Sequence, residues 1–343
     1  VSGWVFGNDG YMGTAITKRG NKKLTWETTS EFNIGLDLGF FDNRISLSME
    51  YYNRIISDLL VSNKSLPAYN EINTIAANIG KTQGRGFELT LSTVNIMNKD
   101  WTWSTDFTFY TFKDNWYERD PNWKPAAYES KKDPIRSYYS YVSDGLLQVG
   151  EKAPAWQPTL VPGQIKLKNL YDTGTSPNVL DQYDKVNLGS QDPKCTLGLN
   201  NTLRYKNLDF NIYFYGEIGR LRGASYYDAW IVGLGNSLTN VSQQSLHSYT
   251  NANQNTTVPN LIESAYDFGD YYHKKINYLR CRNITLGYTI PVSKSIADSV
   301  RISANVSNPF VFTNWNGVDP ETDTGNFSYP NVTSFSFGID ISF

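Results

Sequence analysis

The stretch that most constrains the fold is the last one, "TSFSFGIDISF", residues 333–343. Phe335, Phe337, Ile339, Ile341 and Phe343 take every second position, and Ser334, Ser336, Gly338, Asp340 and Ser342 take the others. Successive side chains of an extended strand point to opposite faces, so as a strand this segment is apolar on one side and polar on the other. Wound as a helix, the same residues would scatter around the axis. The pattern recurs upstream. Phe32, Ile34, Leu36 and Leu38 alternate with polar residues or glycine, an Asp42-Asn43 turn follows, and Ile45, Leu47, Met49 and Tyr51 resume the alternation as a hairpin. Phe87, Leu89 and Leu91 are answered by Trp101, Trp103, Phe107 and Phe109. Leu197, Leu199, Leu203 and Tyr205 are answered, across Lys206-Asn207, by Leu208, Phe210, Ile212 and Phe214. Nine strands are predicted, at 31–39, 44–53, 82–92, 101–112, 195–205, 208–217, 276–290, 299–313 and 333–343.

Two architectures place such strands. A soluble β-sandwich alternates apolar-in and polar-out. A transmembrane antiparallel β-barrel alternates apolar towards lipid and polar towards the lumen, and so needs no long apolar run. No window reaches the ~18 apolar residues of a membrane helix. Strands of ~10 residues suit a tilted bilayer crossing, whereas sandwich strands run nearer ~6. The connections also alternate: 40–44, 93–100, 206–207 and 291–299 are short, while 54–81, 113–194, 218–274 and 314–332 are long. Short turns at one end and long loops at the other mark outer-membrane barrels. The chain is rich in rings, with 24 Tyr, 17 Phe and 9 Trp, and Phe40, Phe41, Trp101, Trp103 and Tyr205 crowd the short turns as an interfacial girdle would. With 31 Lys plus Arg against 33 Asp plus Glu, charge gives no argument for nucleic acid. Cys195 and Cys281 are too few for a disulfide framework and are expected to stay unpaired.

The fold class is therefore all-β, a membrane barrel, with a soluble or surface-anchored glycan-binding β-sandwich as the alternative. With the short turns in the periplasm, the first and ninth strands both run downward and the C-terminus is periplasmic. The span 113–194 adds either no crossing or two, with "IRSYYSYVSDGLLQV" and "GQIKLKNL" as the candidates. Nine or eleven strands leave an open sheet, so residues 31–343 are expected to form part of a larger barrel, with 1–30 an extracellular loop or incomplete strand.

Several stretches share one resemblance. They are "LTWETTSEFNIGLDLGFFDNRISLSMEYYNR" with "SDLLV", "GKTQGRGFELTL", "YYSYVSDGLLQ", "VNLGSQDPKCTLGLNNTLRYKNLDFNIYFYGEIG", "YLRCRNITLGYTIP" and "GVDPETD". In order and approximate spacing they resemble the C-terminal portion of SusC/RagA-type TonB-linked outer-membrane transporters. The resemblance implies a 22-stranded barrel with an N-terminal plug absent from this chain, of which these are the last nine to eleven strands. It also implies active import of an oligosaccharide or oligopeptide, energised through that plug by the TonB-ExbB-ExbD complex, with a SusD-like surface lipoprotein as lid. A passive porin is the further alternative. Three departures stand out. Cys281 occupies a position usually held by a large apolar residue, and Asn308-Pro309-Phe310 predicts a bulge within a strand. Asp172, Asp181 and Asp184 lack the spacing of an acidic calcium loop.

No H-E-x-x-H, C-x-x-C, P-loop or G-x-S-x-G occurs, and Gly84 and Gly86 precede a strand rather than a helix. His247 and His273 fall in long connections, as do Glu263, Asp267 and Asp270. No enzyme, catalytic residue, cofactor or metal is assigned. The candidate ligand contacts are aromatic residues of the long connections: Trp116, Tyr117 and Trp123, then Tyr226, Tyr227 and Trp230, then Trp315. Such rings stack on sugar faces or peptide side chains; the competing reading is that they form a girdle or pack the loops. The terminal Phe343 resembles the aromatic signature read by the outer-membrane assembly machinery, and the apolar faces are expected to meet outer-membrane lipid.

Overall fold

A computed structural model describes residues 2–6, 9–13, 20–65, 74–121, 124–171, 178–223, 243–261, 268–292, 297–317, 319–322 and 329–343. Nine long strands dominate it: β1 (Thr28–Phe40), β2 (Ile45–Ser57), β3 (Lys81–Met97), β4 (Trp101–Glu118), β5 (Cys195–Tyr205), β6 (Leu208–Gly223), β7 (His273–Ile290), β8 (Ser299–Thr313) and β9 (Ser334–Ser342). They form one antiparallel sheet in which each strand pairs with its neighbours in sequence, from β1 to β9. All nine predicted strands are present. Most run further than predicted towards the long-loop end, β4 to Glu118 and β6 to Gly223. Beyond Phe109 the wall continues with polar residues on both faces, so apolar alternation stops before the strand does. Trp116 and Tyr117 thus stand on β4 and not in a loop.

The span between β4 and β5 adds no strand to this sheet. "SYYS" (Ser137–Ser140) pairs with Val186–Ser190, and Ser143–Leu146 pairs with Ile165–Leu167, as two small separate sheets. Ser2–Phe6 pairs with Asp9–Gly13, and Leu60–Ser65 with Thr74–Asn78. Among the described residues β1 and β9 each lack a partner on one side, so the sheet is open.

Its apolar face is bare. Phe32 is 60% exposed, Phe337 85% and Ile339 70%, and Leu286, Ile302 and Phe312 are exposed with them. A sandwich would bury this face against a second sheet, and among the described residues none covers it. The sandwich alternative fails on that point: an apolar surface this continuous needs a nonaqueous neighbour. A small polar cluster interrupts it. Asn201 shares the face of Leu199 and Leu203, and its Oδ1 accepts from Trp103 Nε1 at 3.1 Å and Thr105 Oγ1 at 2.7 Å. Thr105 in turn accepts from Asn95 Nδ2 at 2.8 Å. Polar atoms facing hydrocarbon are tolerable when they satisfy one another in this way. Just below, the Trp101 and Tyr205 rings meet at a 34° tilt with centroids 4.3 Å apart at the short-turn end.

Turn chemistry fits the sequence. Phe41, Asp42 and Asn43 all take positive φ (55°, 55° and 61°), a conformation that Asp and Asn tolerate best after glycine. The Asn308-Pro309 bulge is present as well: Asn308 has φ 50°, and the β7–β8 register shifts between Cys281 and Asn283. Both cysteines are free thiols.

On the polar face, glycines make room for neighbours. The ring of Tyr52 lies over Gly86, where a Cβ would overlap it, and its hydroxyl bonds that of Tyr110 at 2.9 Å. Gly287 plays the same part for an ion pair that spans β7: Arg301 Nε and Nη2 grip Asp209 at 3.1 and 2.6 Å. A rigid ring cannot yield as a flexible side chain can, so Gly86→Ala is expected to destabilise by about 1–3 kcal/mol. Chemical unfolding of the assembled protein measures this, and adding Tyr52→Ala should remove most of the penalty.

Candidate functional site

The polar face of the sheet forms a hydrogen-bonded wall. Ser92 donates to Asp106 at 2.7 Å, Asn211 to Asn200 at 2.8 Å, and Asn33 bonds Glu50. Side chains that satisfy one another across strands leave this face wettable, as a barrel lumen requires.

At the long-loop end the connections fold into a unit with its own core. Leu146, Ile165, Leu167, Tyr249, Tyr272 and Trp315 pack around Ile276, which β7 projects among them, fully buried. Polar ties hold the unit. Trp156 Nε1 donates to the Leu167 carbonyl at 2.8 Å, and Tyr249 Oη accepts from the Val149 N–H at 3.0 Å. Asp270 accepts from the Ser143 N–H at 2.7 Å. Asp184, fully buried, accepts the N–H groups of Leu170, Tyr171 and Asp181 at 2.6, 3.1 and 2.9 Å. Its carboxylate thus closes a loop.

Below this unit, buried charge fixes the connection between β8 and β9 to the wall. Arg280, 3% exposed, donates from Nη2 to Asp319 at 2.8 Å and from Nε to Glu321 at 3.0 Å. Arg282 pairs with the other oxygen of Glu321 and lies over the Tyr215 ring at 5.2 Å. Arg222 donates to the Glu321 carbonyl at 3.1 Å. Asp319 also accepts N–H groups from Glu321, Thr322 and Asn331 at 2.8, 3.2 and 3.1 Å. Burial by itself would raise its pKa, but these backbone donors and the Arg280 charge outweigh burial and hold the carboxyl below its ordinary value. The two motifs "YLRCRN" and "GVDPETD" are therefore halves of one device. The sequence signal was two arginines flanking Cys281 on a strand, with two carboxylates in the next connection: charges that face inward must find partners.

Where the loop unit meets β7 there is a cleft of about 440 Å³. Tyr271, Trp315, Gln244, Asn316, His273 and Lys274 are among its lining residues, and the described lining includes no carboxylate. Lys274 Nζ reaches Asn316 Oδ1 at 3.4 Å, and the His273 ring stacks on Tyr138 with centroids 4.4 Å apart. Rings beside amide and ammonium donors suit a neutral or anionic polar oligomer better than a cation.

Among the predicted ligand contacts, Trp315 is 8% exposed, belongs to the loop core and borders this cleft. Trp116 is half-buried with Arg119 5.4 Å over its ring, and Tyr117, the next residue on β4, is 58% exposed. The structure does not bring these two to the cleft lining. Trp123, Tyr226, Tyr227 and Trp230 lie outside the described residues, as do Glu263 and Asp267. Phe343 follows β9 and is 88% exposed. Sequence reasoning missed Gln244, Lys274 and Asn316, because isolated polar loop residues carry no periodic signal.

Residues 3–308 match the family model described as TonB dependent receptor-like, beta-barrel. The chain is 29% identical over 370 residues to TonB-dependent receptor P3 of Formosa agariphila, covering 99% of this chain and 36% of that protein. It is 28% identical over 350 residues to TonB-dependent receptor SusC of Bacteroides thetaiotaomicron, covering 98% and 34%. The solved RagAB peptide importer in its open-open state superposes with a TM-score of 0.80 at 22% identity, over all of this chain and 37% of that one. The chain thus spans about a third of the length of the relatives it matches. A bare apolar face, a wettable inner face, a single meander of nine strands and a family match over most of the length agree: this chain belongs to the TonB-dependent receptor β-barrel family, whose fold is that of the outer membrane.

Proposed function

We propose that this chain is the C-terminal wall of an active outer-membrane importer, and that an oligosaccharide or oligopeptide is captured at its long-loop end. The observation that carries this reading is the packed loop unit, fixed to the inner wall through Arg280 and opening a polar-aromatic cleft beside β7. The wall binds and confines, and no step of bond chemistry is asked of it. Energy comes from the TonB-ExbB-ExbD complex acting on a plug, and a SusD-like surface lipoprotein closes over the loops. In this reading Tyr226, Tyr227, Trp230 and Trp123 meet ligand along with Tyr117, while Trp315 and Trp116 support from behind. The short turns and the C-terminus face the periplasm. Of the similar proteins, RagAB is a peptide importer, which supports an oligomeric cargo.

Uptake of labelled oligosaccharides and oligopeptides by cells carrying the full-length gene tests the reading. At least one oligomer should accumulate only when TonB is present; accumulation that persists without TonB would indicate a passive pore. Lys274→Ala with Asn316→Ala should lower uptake at subsaturating ligand by roughly tenfold, as expected for two lost polar contacts. Phe343 deletion is expected to reduce the folded barrel in the membrane severalfold, scored by heat-modifiable migration on gels. Undiminished levels would remove the assembly role of this residue.

A further inference from the structure

One cation on the inner face of β7 is left without an acid. Along this strand Lys274, Ile276, Tyr278 and Arg280 share the inner face, and Lys275, Asn277 and Leu279 share the outer one. Three arginines lower on the wall meet acids: Arg280 and Arg282 hold Asp319 and Glu321, and Arg220 of β6 lies 2.7 Å from Glu217. Lys274 does not. Among the described residues no carboxylate pairs with it, and its ammonium reaches the neutral Asn316 Oδ1 at 3.4 Å. Its cross-strand neighbour on β6 is another cation, Arg222, and like charges directly opposite repel.

The cleft that Lys274 borders supplies no acid either. Its described lining includes Gln244, Tyr271, Trp315 and Asn316 but no carboxylate. Asp270, just upstream, turns Oδ1 to the Ser143 N–H at 2.7 Å. The Glu321 carboxylate is taken up by Arg280, Arg282 and Asn331. Lys274 is half-buried, and Asn316 beside it is exposed. An ammonium so placed gives up part of its water without gaining a counter-charge, which favours an anionic guest. Lys274 offers a charged donor and Asn316 Nδ2 a neutral one, so the two oxygens of a carboxylate can each take one. The rings of Tyr271 and Trp315 then border whatever body carries that carboxylate.

We infer that Lys274 and Asn316 seat a carboxylate of the imported oligomer, so that acidic oligomers are selected over neutral ones. This rests on the reading of the cleft as the capture site. A uronic acid unit and an acidic peptide present the same group, and matched probes separate them. Full-length protein with its surface lipoprotein, purified in detergent, is offered oligogalacturonate against its methyl ester, and a random octapeptide pool with free carboxylates against the same pool esterified. Retained oligomers are read by mass spectrometry. In at least one pair the acid form should be retained roughly tenfold more, the effect of a hydrogen bond to a charged group, and the pair that responds identifies the source. Lys274→Gln should equalise that pair, and Lys274→Arg should keep its preference. Lys275→Gln, next along β7 but on the outer face, should change nothing. Equal retention of acid and neutral forms by the parent would overturn the inference and leave the capture site standing. So would a preference that survives Lys274→Gln. Retention of no probe at all would overturn the capture reading, and this inference with it.

Discussion

Arg280→Ala is expected to be among the most damaging single substitutions, costing about 3–5 kcal/mol, the usual penalty for breaking a buried ion pair. The guanidinium is 4% exposed and holds both Asp319 and Glu321. Its removal leaves two carboxylates facing one another, with Arg282 as the nearest remaining partner of Glu321. The connection that leads into β9 should then leave the wall. Arg280→Lys should rescue little, because one ammonium cannot reproduce the forked contacts to two acids. Limited proteolysis of the assembled protein supplies the readout: cleavage within residues 319–322 or 329–331 should be slow in the parent and fast in the variant. Acid should act on the same device. The folded pKa of Asp319 lies below its unfolded one, so its contribution is fully present above the ordinary value of 3.8. It is lost as pH falls through the lower folded value. Protection of residues 319–322 and 329–331 should hold above pH 3.8 and decay as pH falls below it, and Asp319→Asn should abolish that dependence.

Phe337→Arg ranks next, with an expected cost of about 2–4 kcal/mol for a cation on the lipid face of a barrel. Phe337 is 85% exposed on β9 and pairs with Ala304. Its neighbour Ser336 pairs with Asn305 and points to the opposite, wet face. Ser336→Arg, the same added charge one residue away, should cost less than about 1 kcal/mol. Urea unfolding from lipid vesicles measures both. Equal costs would mean that the two faces see the same medium, which no membrane barrel allows.

Much of this was legible in the residues because a strand that meets lipid on one side and water on the other must alternate. "TSFSFGIDISF" fixes its own face assignment, and every predicted strand is found where the alternation put it. The signal faded where its cause did. Past Thr111 both faces of β4 are wet, so the strand continues to Glu118 with nothing periodic to announce it. The zero-crossing answer for 113–194 was equally hidden, since "SYYS" and "IKL" are strand-like locally and only tertiary pairing keeps them out of the barrel sheet. The candidate site was legible in part. Trp315 was selected as an exposed ring, yet Ile276 and Tyr272 enclose it. "RCRN" and "DPET" were visible as motifs, but their joining depends on a connection folding back across three strands, which no local pattern encodes.

The central claim, that one face of this sheet meets lipid and the other the lumen, can be measured along β9. Single spin labels placed at each position from 334 to 342 of the full-length protein in vesicles report collision with oxygen, which concentrates in lipid, and with a water-soluble nickel chelate. The account predicts a strict period of two: labels at 335, 337, 339 and 341 favour oxygen, and labels at 334, 336, 338, 340 and 342 favour the chelate. Uniform accessibility along the strand, or the inverse phase, would contradict it.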